Sequence, residues 1–560
     1  MGNASAAGDP SGDSAKALGA FYTDTQIAEF LVWWAIRSRN DTVLDPSFGG
    51  GVFLRAACKR ISGLGGSAAK QVHGIELDGS VHRKIAGKLR DEFSVRPANL
   101  MKTDFFRIEG DPLSLVTAVV GNPPFIRYQR FTGEARRRAL SCAASQGVTL
   151  TEMSSSWAPF LVHSASMVAP RGRLAMVIPM EVGYATYAKP VLSHLSRAFA
   201  EVTFLTFRKK LFPDLSEDTL LLLCEGRGLP FKGFFIRDLD NPGALEGLKK
   251  GRSRAVEKRS PMNATSMGLG AERLVEYLIP SKARELYRHI RSGNVAMRLG
   301  DFADVGIGYV TGANRFFHLS EAEAAEWAIP EKCLRPAVCR GRAFKGLSFE
   351  DNDWRTALAG GDAAFLLSVG DGKVVPKRVQ KYLEHGRKRG VHKAYKCRMR
   401  RPWYRVPNVY EADGFMTYMT GDAIRIVSNQ TRAVAPNTLH VVRMKEGANV
   451  PMPLLAACSC TSLTELSAEL EGHSLGGGML KLEPKEAARM LVAVGKADAC
   501  EALAPELNRL LRSGREEDVR RLADDVVLRQ GIGISARDCR LLSSAARQLR
   551  NRRQLRGSAA

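Results

Sequence analysis

A chain of 560 residues with 45% hydrophobic side chains is long enough for two or three domains, each with its own core. The 82 Lys and Arg against 58 Asp and Glu leave a net charge of +24, a balance that favours a polyanionic partner, nucleic acid before an anionic membrane. Ten cysteines are too sparse for a disulfide scaffold, and the closest pair, Cys458 and Cys460, has no second pair at zinc spacing, so reduced thiols and no metal are expected.

The first residues carry no basic start followed by an apolar core, and Ala6 breaks the myristoylation pattern. The longest apolar run, 27–36, is too short to span a bilayer and contains Glu29. A cytoplasmic, nucleoid-associated protein is therefore expected, with residues 1–17, small and polar, disordered. Phe21, Tyr22 and Thr23 then precede a helix over 23–36, capped by Thr23 or Asp24, whose apolar face is Ile27, Phe30, Leu31 and Trp34. The backbone and hydroxyls of that lead-in are placed to border a ligand.

A short strand over 42–45 ends in Asp45 and is followed by Pro46-Ser47-Phe48-Gly49-Gly50-Gly51 and a helix from Val52. The glycines allow close backbone approach, but the pattern is not G-x-G-x-x-G and no Lys follows, which argues against a phosphate cradle. Asp45 instead suits a cationic group such as an amino acid's ammonium. The next strand, 71–75, ends in Glu76-Leu77-Asp78, and a carboxylate about 25 residues past the glycines fits a ribose hydroxyl pair. A helix over 81–93 leads to a third short segment ending in Asp104-Phe105, where a carboxylate can meet an adenine amino group.

The apolar run 114–120 reads as a buried strand, and Gly121-Asn122-Pro123-Pro124-Phe125 closes it. Neither Pro123 nor Pro124 can donate a backbone N–H, so helix and ladder both stop and a rigid extended loop begins at a strand's carboxyl end, where open α/β sheets bind ligands. The Asn122 amide oxygen and the neighbouring carbonyl can accept two N–H groups, and the Phe125 ring can stack. That pair of functions suits a flat, nitrogen-bearing substrate.

The order of these segments, with Asp45, Glu76, Asp104 and the Asn-Pro-Pro-Phe run, closely resembles the gamma class of DNA adenine-N6 methyltransferases that use S-adenosylmethionine (SAM). Where the family usually carries Ala-Cys-Gly-Ser-Gly this chain has Pro46-Ser-Phe-Gly-Gly-Gly51, and Phe125 stands where Tyr is frequent. The resemblance implies a Rossmann-like SAM methyltransferase sheet followed by an α+β target recognition domain and a helical C-terminal segment. It implies Asn122, Pro123, Pro124 and Phe125 as the catalytic motif, acting on a base flipped out of the duplex. The cofactor set it implies is Phe21, Tyr22, Thr23, Asp45, Pro46, Gly49, Gly51, Glu76, Leu77, Asp104, Phe105 and Asn122. In the family an aromatic of a later loop stacks on the flipped base from the other side, and Phe212 matches that position. The expected activity is methyl transfer to adenine N6 at a specific site in double-stranded DNA, in a restriction-modification or related phage-defence system that can include a separate endonuclease.

The same resemblance covers a helix over 157–168, a turn at 170–172 and strands at 173–179, 202–207 and 220–224. The resemblance covers residues 19 to about 225 well and 300 to 490 more loosely; with the chain's changes of composition, the expected divisions are a catalytic domain at 18–230, a linker or crossing segment at 231–280, a recognition domain at 281–500 and a basic helical segment at 501–560 that the resemblance leaves unassigned. Residues 305–317 read as strands joined by a Gly-Ala-Asn turn. The stretch 386–405 holds nine Lys and Arg and no acid; Arg387, Lys388, Arg389, Lys393, Lys396, Arg398, Arg400 and Arg401 form a natural phosphate-contacting surface. Residues 547–556 carry five Arg and no acid. Two other readings share the motifs: a cytosine-N4 methyltransferase, where Ser-Pro-Pro is more usual, and a catalytically silent DNA-binding subunit. Release-factor glutamine methyltransferases also carry Asn-Pro-Pro but are much shorter and need no long basic domain.

Overall fold

Short apolar strands alternating with amphipathic helices favour a parallel sheet, because each parallel pair needs a crossover long enough to hold a helix. The computed structural model describes residues 23–108, 115–185, 187–212, 218–251, 260–263, 273–293, 295–362, 364–370, 374–495 and 502–557; the stretch 1–17 and the pair Phe21 and Tyr22 lie outside them. The chain forms two compact units, the first reaching Leu278 and the second spanning Ile279–Gln554.

The first unit holds β1 (Val43–Asp45), β2 (Val72–Glu76), β3 (Leu100–Lys102), β4 (Val116–Gly121), β5 (Val168–Pro179), β6 (Phe199–Phe207), β7 (Thr219–Arg227), β8 (Gly233–Leu239) and β9 (Ser260–Met262). They make one sheet in the order β3-β2-β1-β4-β5-β7-β6-β8-β9. Strands β1 to β5 run parallel, and β7 runs antiparallel to both its neighbours. The strand order reverses between β1 and β4, so a crevice opens at their carboxyl ends. Leu44 pairs with Val119 and Asp45 with Gly74, which aligns those ends along one edge. The interior is apolar on both faces, as parallel sheets require: Leu220, Leu221 and Leu222 of β7 are fully buried, each contributing about 1.5–3 kcal/mol by leaving water.

The helices are α1 (Thr25–Ala35), α2 (Val52–Gly63), α3 (Gly79–Phe93), α4 (Gly133–Ser145), α5 (Trp157–Ser166) and α6 (Ala188–Ala198). Asp24 caps α1 by accepting from Gln26 N at 2.7 Å, and Ile27, Phe30 and Leu31 form its buried face. The predicted linker over 231–280 is corrected: β8 and β9 extend the sheet, β8 pairing parallel with β6 along seven residues. Phe234 and Ile236 are buried there, so alternation, hidden by the Gly and Lys around it, already marked a strand.

In the second unit β10 (Ala303–Ile307), β11 (Ser348–Phe349), β12 (Gly414–Thr417), β13 (Ile426–Asn429) and β14 (Leu439–Met444) form a sheet in the order β10-β14-β12-β13-β11. The helices that bear on function are α7 (Lys377–Lys388), α8 (Tyr395–Arg398), α9 (Ser462–Glu471) and α10 (Ala536–Gly557). The strands predicted through 305–317 stop at Ile307, and Asn314–Phe317 is a helical turn instead. Phe316 and Phe317 are both buried in one cluster with Tyr382 and Trp403; successive residues of a strand would point to opposite faces. The terminal basic segment is not a separate module, since its described residues up to Gln554 belong to the second unit. The nine cysteines among the described residues are free thiols, and none of the helices there is long and apolar enough to cross a membrane.

Candidate active site

The turn after β1 is shaped by its glycines. Gly51 sits at φ +74 as the N-cap of α2, and a Cβ there would lie 2.5 Å from Ile85 Cγ2. Only glycine combines that conformation with that approach. Asp45 ends β1 with its carboxylate buried, Oδ1 accepting from Ser47 N at 3.1 Å and Oδ2 without a hydrogen-bond partner. Burial pushes its pKa up to about 8, against the pull of the Ser47 N–H and with a further push from Glu76. A buried acceptor left open in this way is costly unless a ligand completes it.

Glu76 ends β2. Its Oε2 accepts from Gly49 N and its Oε1 from Asp78 N, both at 2.8 Å, so the carboxylate is fixed while each oxygen keeps a further lone pair for a diol. Leu77 beside it is 63% exposed, an apolar side chain on the rim of the crevice. Pro46 is buried in the same turn.

Asn122 follows β4. Its Nδ2 donates to Thr23 Oγ1 at 3.2 Å, and its Oδ1 is buried without a partner. The Pro123 carbonyl accepts no hydrogen bond among the described residues. Two acceptors one residue apart are thus open on a rigid loop, and they match the two N–H groups of an exocyclic amine. The loop is clamped from behind: Ser156 Oγ donates to Pro124 O and accepts from Ile126 N at 2.8 Å, and Ser156 N donates to Ile126 O at 3.0 Å. The next residue, Trp157, is fully buried and donates its indole N–H to Glu181 Oε2 at 3.1 Å and Tyr187 OH at 3.0 Å. This support was missed in the sequence; the run Ser154-Ser155-Ser156 ahead of a Trp was its only signal.

Of four further predicted residues, two are engaged by the chain itself and two are buried. Asp104 caps the turn after β3 by accepting from Phe106 N at 3.1 Å and pairs with Arg138 Nη1 at 2.6 Å. Phe105 is packed with its centroid 4.8 Å from Phe160 and 4.3 Å from His163. Phe125 and Phe212 are buried, at 7% and 8% exposure.

On the second unit, Arg387, Lys388, Arg389, Lys393, Lys396, Arg398 and Arg401 are exposed and pair with no carboxylate among the described residues. Arg400 is corrected: its guanidinium donates to Thr311 O at 2.7 Å and to Val310 O, so it holds the chain together instead of facing outward. In the second Arg-rich stretch Arg552 and Arg553 are also internal. Arg553, 4% exposed, pairs with Glu469 Oε1 at 3.0 Å and donates to Gly421 O at 2.7 Å and Asp422 O at 2.9 Å.

Comparison with known proteins gives two family matches in succession. Residues 10–195 match the N-6 DNA Methylase family, and residues 271–528 match the C-terminal domain of Type II methyltransferase M.Eco57I. Type II methyltransferase M.AccI of Acinetobacter calcoaceticus is 21% identical over 491 residues, 86% of this chain and 87% of that one. M.XamI of Xanthomonas campestris pv. amaranthicola is 23% identical over 492 residues, 86% of each chain. The fold is also similar to that of the DNA-bound Type IIL restriction-modification enzyme MmeI, with a TM-score of 0.56 at 11% identity, over 94% of this chain and 75% of that one.

Proposed function

Since the chain belongs to the N6-adenine DNA methyltransferases of Type II restriction-modification, we propose that its strand-end crevice binds SAM and that the Asn122 loop presents a flipped adenine to it. The observation that carries this reading is the buried, unpartnered Oδ1 of Asn122, set beside the open carbonyl of Pro123. SAM supplies an electrophilic methyl group on a sulfonium.

The crevice fits that cofactor by its donor set. The open Oδ2 of Asp45 suits the ammonium of the amino-acid end, Glu76 the ribose diol, and Leu77 the adenine face, with Thr23, Pro46, Gly49 and Gly51 forming the walls. Asp104, already paired with Arg138, keeps lone pairs for an adenine amino group, with Phe105 next to it in the chain.

The target nitrogen is a poor nucleophile because its lone pair is delocalised into the ring. Asn122 Oδ1 and Pro123 O accept its two protons, which favours a pyramidal nitrogen with its lone pair directed out of the ring plane. Extruding the base costs a few kcal/mol, and stacking on Phe125, with Phe212 on the opposite face, offsets it by about 1–3 kcal/mol per ring. Both rings are buried, so admitting the base requires the rim around them to open. The exposed cations of 387–401 hold the phosphates of double-stranded DNA, alongside a separate endonuclease where the system has one.

Modified-base sequencing of genomic DNA from cells expressing the wild type or Asn122→Ala tests the reading. N6-methyladenine in one sequence context with the wild type alone is the expected result. N4-methylcytosine in its place would move the chain to the cytosine-N4 class, and absence of any mark together with absence of SAM binding would leave a silent DNA-binding subunit.

A further inference from the structure

We propose that Tyr395 and Met399 form an apolar wedge that enters a groove of duplex DNA and contacts bases, making α8 a sequence-reading element and not only a phosphate platform. The inference rests on DNA being the substrate and names the residues that read it.

Tyr395 and Met399 are four residues apart on one helical turn and therefore share a face. They are 63% and 68% exposed, two large apolar side chains presented to solvent. Isolated exposed apolar residues are ordinary; a pair ringed by one sign of charge is not. Lys396 and Arg398 lie over the Tyr395 ring at 5.8 and 5.5 Å from its centroid. Lys393 and Arg401 flank the turn, exposed and without a carboxylate partner among the described residues. The surroundings complement a polyanion, and the centre complements the apolar faces that a polyanion exposes only between and along its bases.

The turn is mounted rigidly. Its inner face is Cys397, fully buried with Sγ 3.7 Å from Thr311 O, and Arg400, which donates to the carbonyls of Val310 and Thr311. Gly312, at φ +82, lets the two segments meet: a Cβ there would stand 2.7 Å from Lys396 Cβ. A wedge held from behind loses little freedom when it inserts, which is what base contact from a short element requires.

The test uses the full-length chain and two labelled duplexes, one with the sequence that carries the genomic mark and one scrambled, titrated by fluorescence anisotropy at several salt concentrations. The double variant Tyr395→Ala/Met399→Ala should lose about tenfold or more in affinity for the marked sequence, as expected for removing base contacts. Affinity for the scrambled duplex should change by less than about threefold, with an unaltered salt slope. Tyr395→Phe should keep most of the discrimination. Thermal melting and SAM binding, unchanged in the variants, report an intact fold. Equal loss on both duplexes, or no loss on either, overturns the wedge. Failure of the wild type to bind or mark DNA at all would instead overturn the functional reading beneath it.

Discussion

Two of the places where this molecule buries charged or polar side chains differ in one respect. Around Glu469 and Arg553 the buried charges are used up: all three guanidinium nitrogens of Arg553 donate, to Glu469 and to the carbonyls of Gly421, Asp422 and Gly478. At the ends of β1 and β4, by contrast, Asp45 Oδ2 and Asn122 Oδ1 are buried with no partner. A completed set holds a fold together; an incomplete set is waiting for atoms the chain does not own. The two places therefore predict opposite phenotypes. Mutations in the crevice should remove chemistry and spare stability, and mutations in the cluster should do the reverse.

The largest effect belongs to Asn122→Ala. Methyl transfer should fall by about a thousandfold or more, as when a principal transition-state hydrogen-bonding partner is removed. SAM affinity and melting temperature should stay close to wild type. Comparable losses of transfer and of SAM binding would break the comparison, because Asn122 would then be holding the site together. The counterpart is Arg553→Ala. It strands Glu469, whose pKa burial already pushes upward against the pull of Arg553 and Arg550, and should cost about 3–5 kcal/mol of stability. Urea unfolding would measure it, and Glu469→Leu/Arg553→Met should recover most of the loss, since replacing both partners removes the unpaired charge. A single variant as stable as the wild type would show that the cluster is not structural.

How much of this was legible in the sequence follows the same division. The framework of the crevice was readable because it follows local rules: strand, glycine turn and carboxylate at Asp45, carboxylate at a strand end at Glu76, and two prolines fixing the loop after Asn122. Helix α2 starts at Val52 as expected because Gly51 can adopt positive φ. What was not legible depended on partners distant in sequence. Arg398 and Arg400 are indistinguishable as letters, yet Arg398 is exposed while Arg400 faces the Thr311 carbonyl. The stretches 386–405 and 547–556 look equally basic, and it takes partners such as Glu469, 84 residues before Arg553, to turn residues of the second inward. The strands beyond residue 230 were missed because Gly, Pro and Lys between short apolar runs mimic a linker. The engagement of Asp104 was missed because Arg138 lies 34 residues on, on helix α4 beyond strand β4.

Asp45 sharpens the comparison through pH. An ordinary aspartate ionises near pH 4, whereas burial holds Asp45 protonated up to about 8. Between those values the ligand-free folded state holds a proton that the unfolded chain has lost, so this group lowers stability as pH rises through that window. Binding an ammonium at Oδ2 requires the ionised form, and SAM binding at pH 7 should therefore release close to one proton. Calorimetry in buffers of different ionisation enthalpy would count it. Asp45→Asn should abolish the release and weaken SAM by about tenfold to a hundredfold, the range for a hydrogen bond to a charged group. Release that persists in the variant would assign the proton elsewhere.

The smallest expected effect tests whether the crevice is stiffened from behind. Ser156 touches neither proposed ligand; its hydroxyl joins Pro124 O to Ile126 N across the far side of the catalytic loop. Without it, as in Ser156→Ala, those two groups lose a partner and the loop gains a way to move, while every proposed ligand contact stays in place. A net loss of about 0.5–1.5 kcal/mol is typical for one such hydrogen bond. If the loop's precision matters for the pyramidal nitrogen, most of that should appear in kcat, as a fall of about tenfold, with KM for SAM and DNA within about twofold of wild type. A lower melting temperature with kcat unchanged would make Ser156 one more completed contact of the kind seen around Arg553, and the precision of the loop would then rest on Pro123, Pro124 and the backbone bond from Ser156 N to Ile126 O.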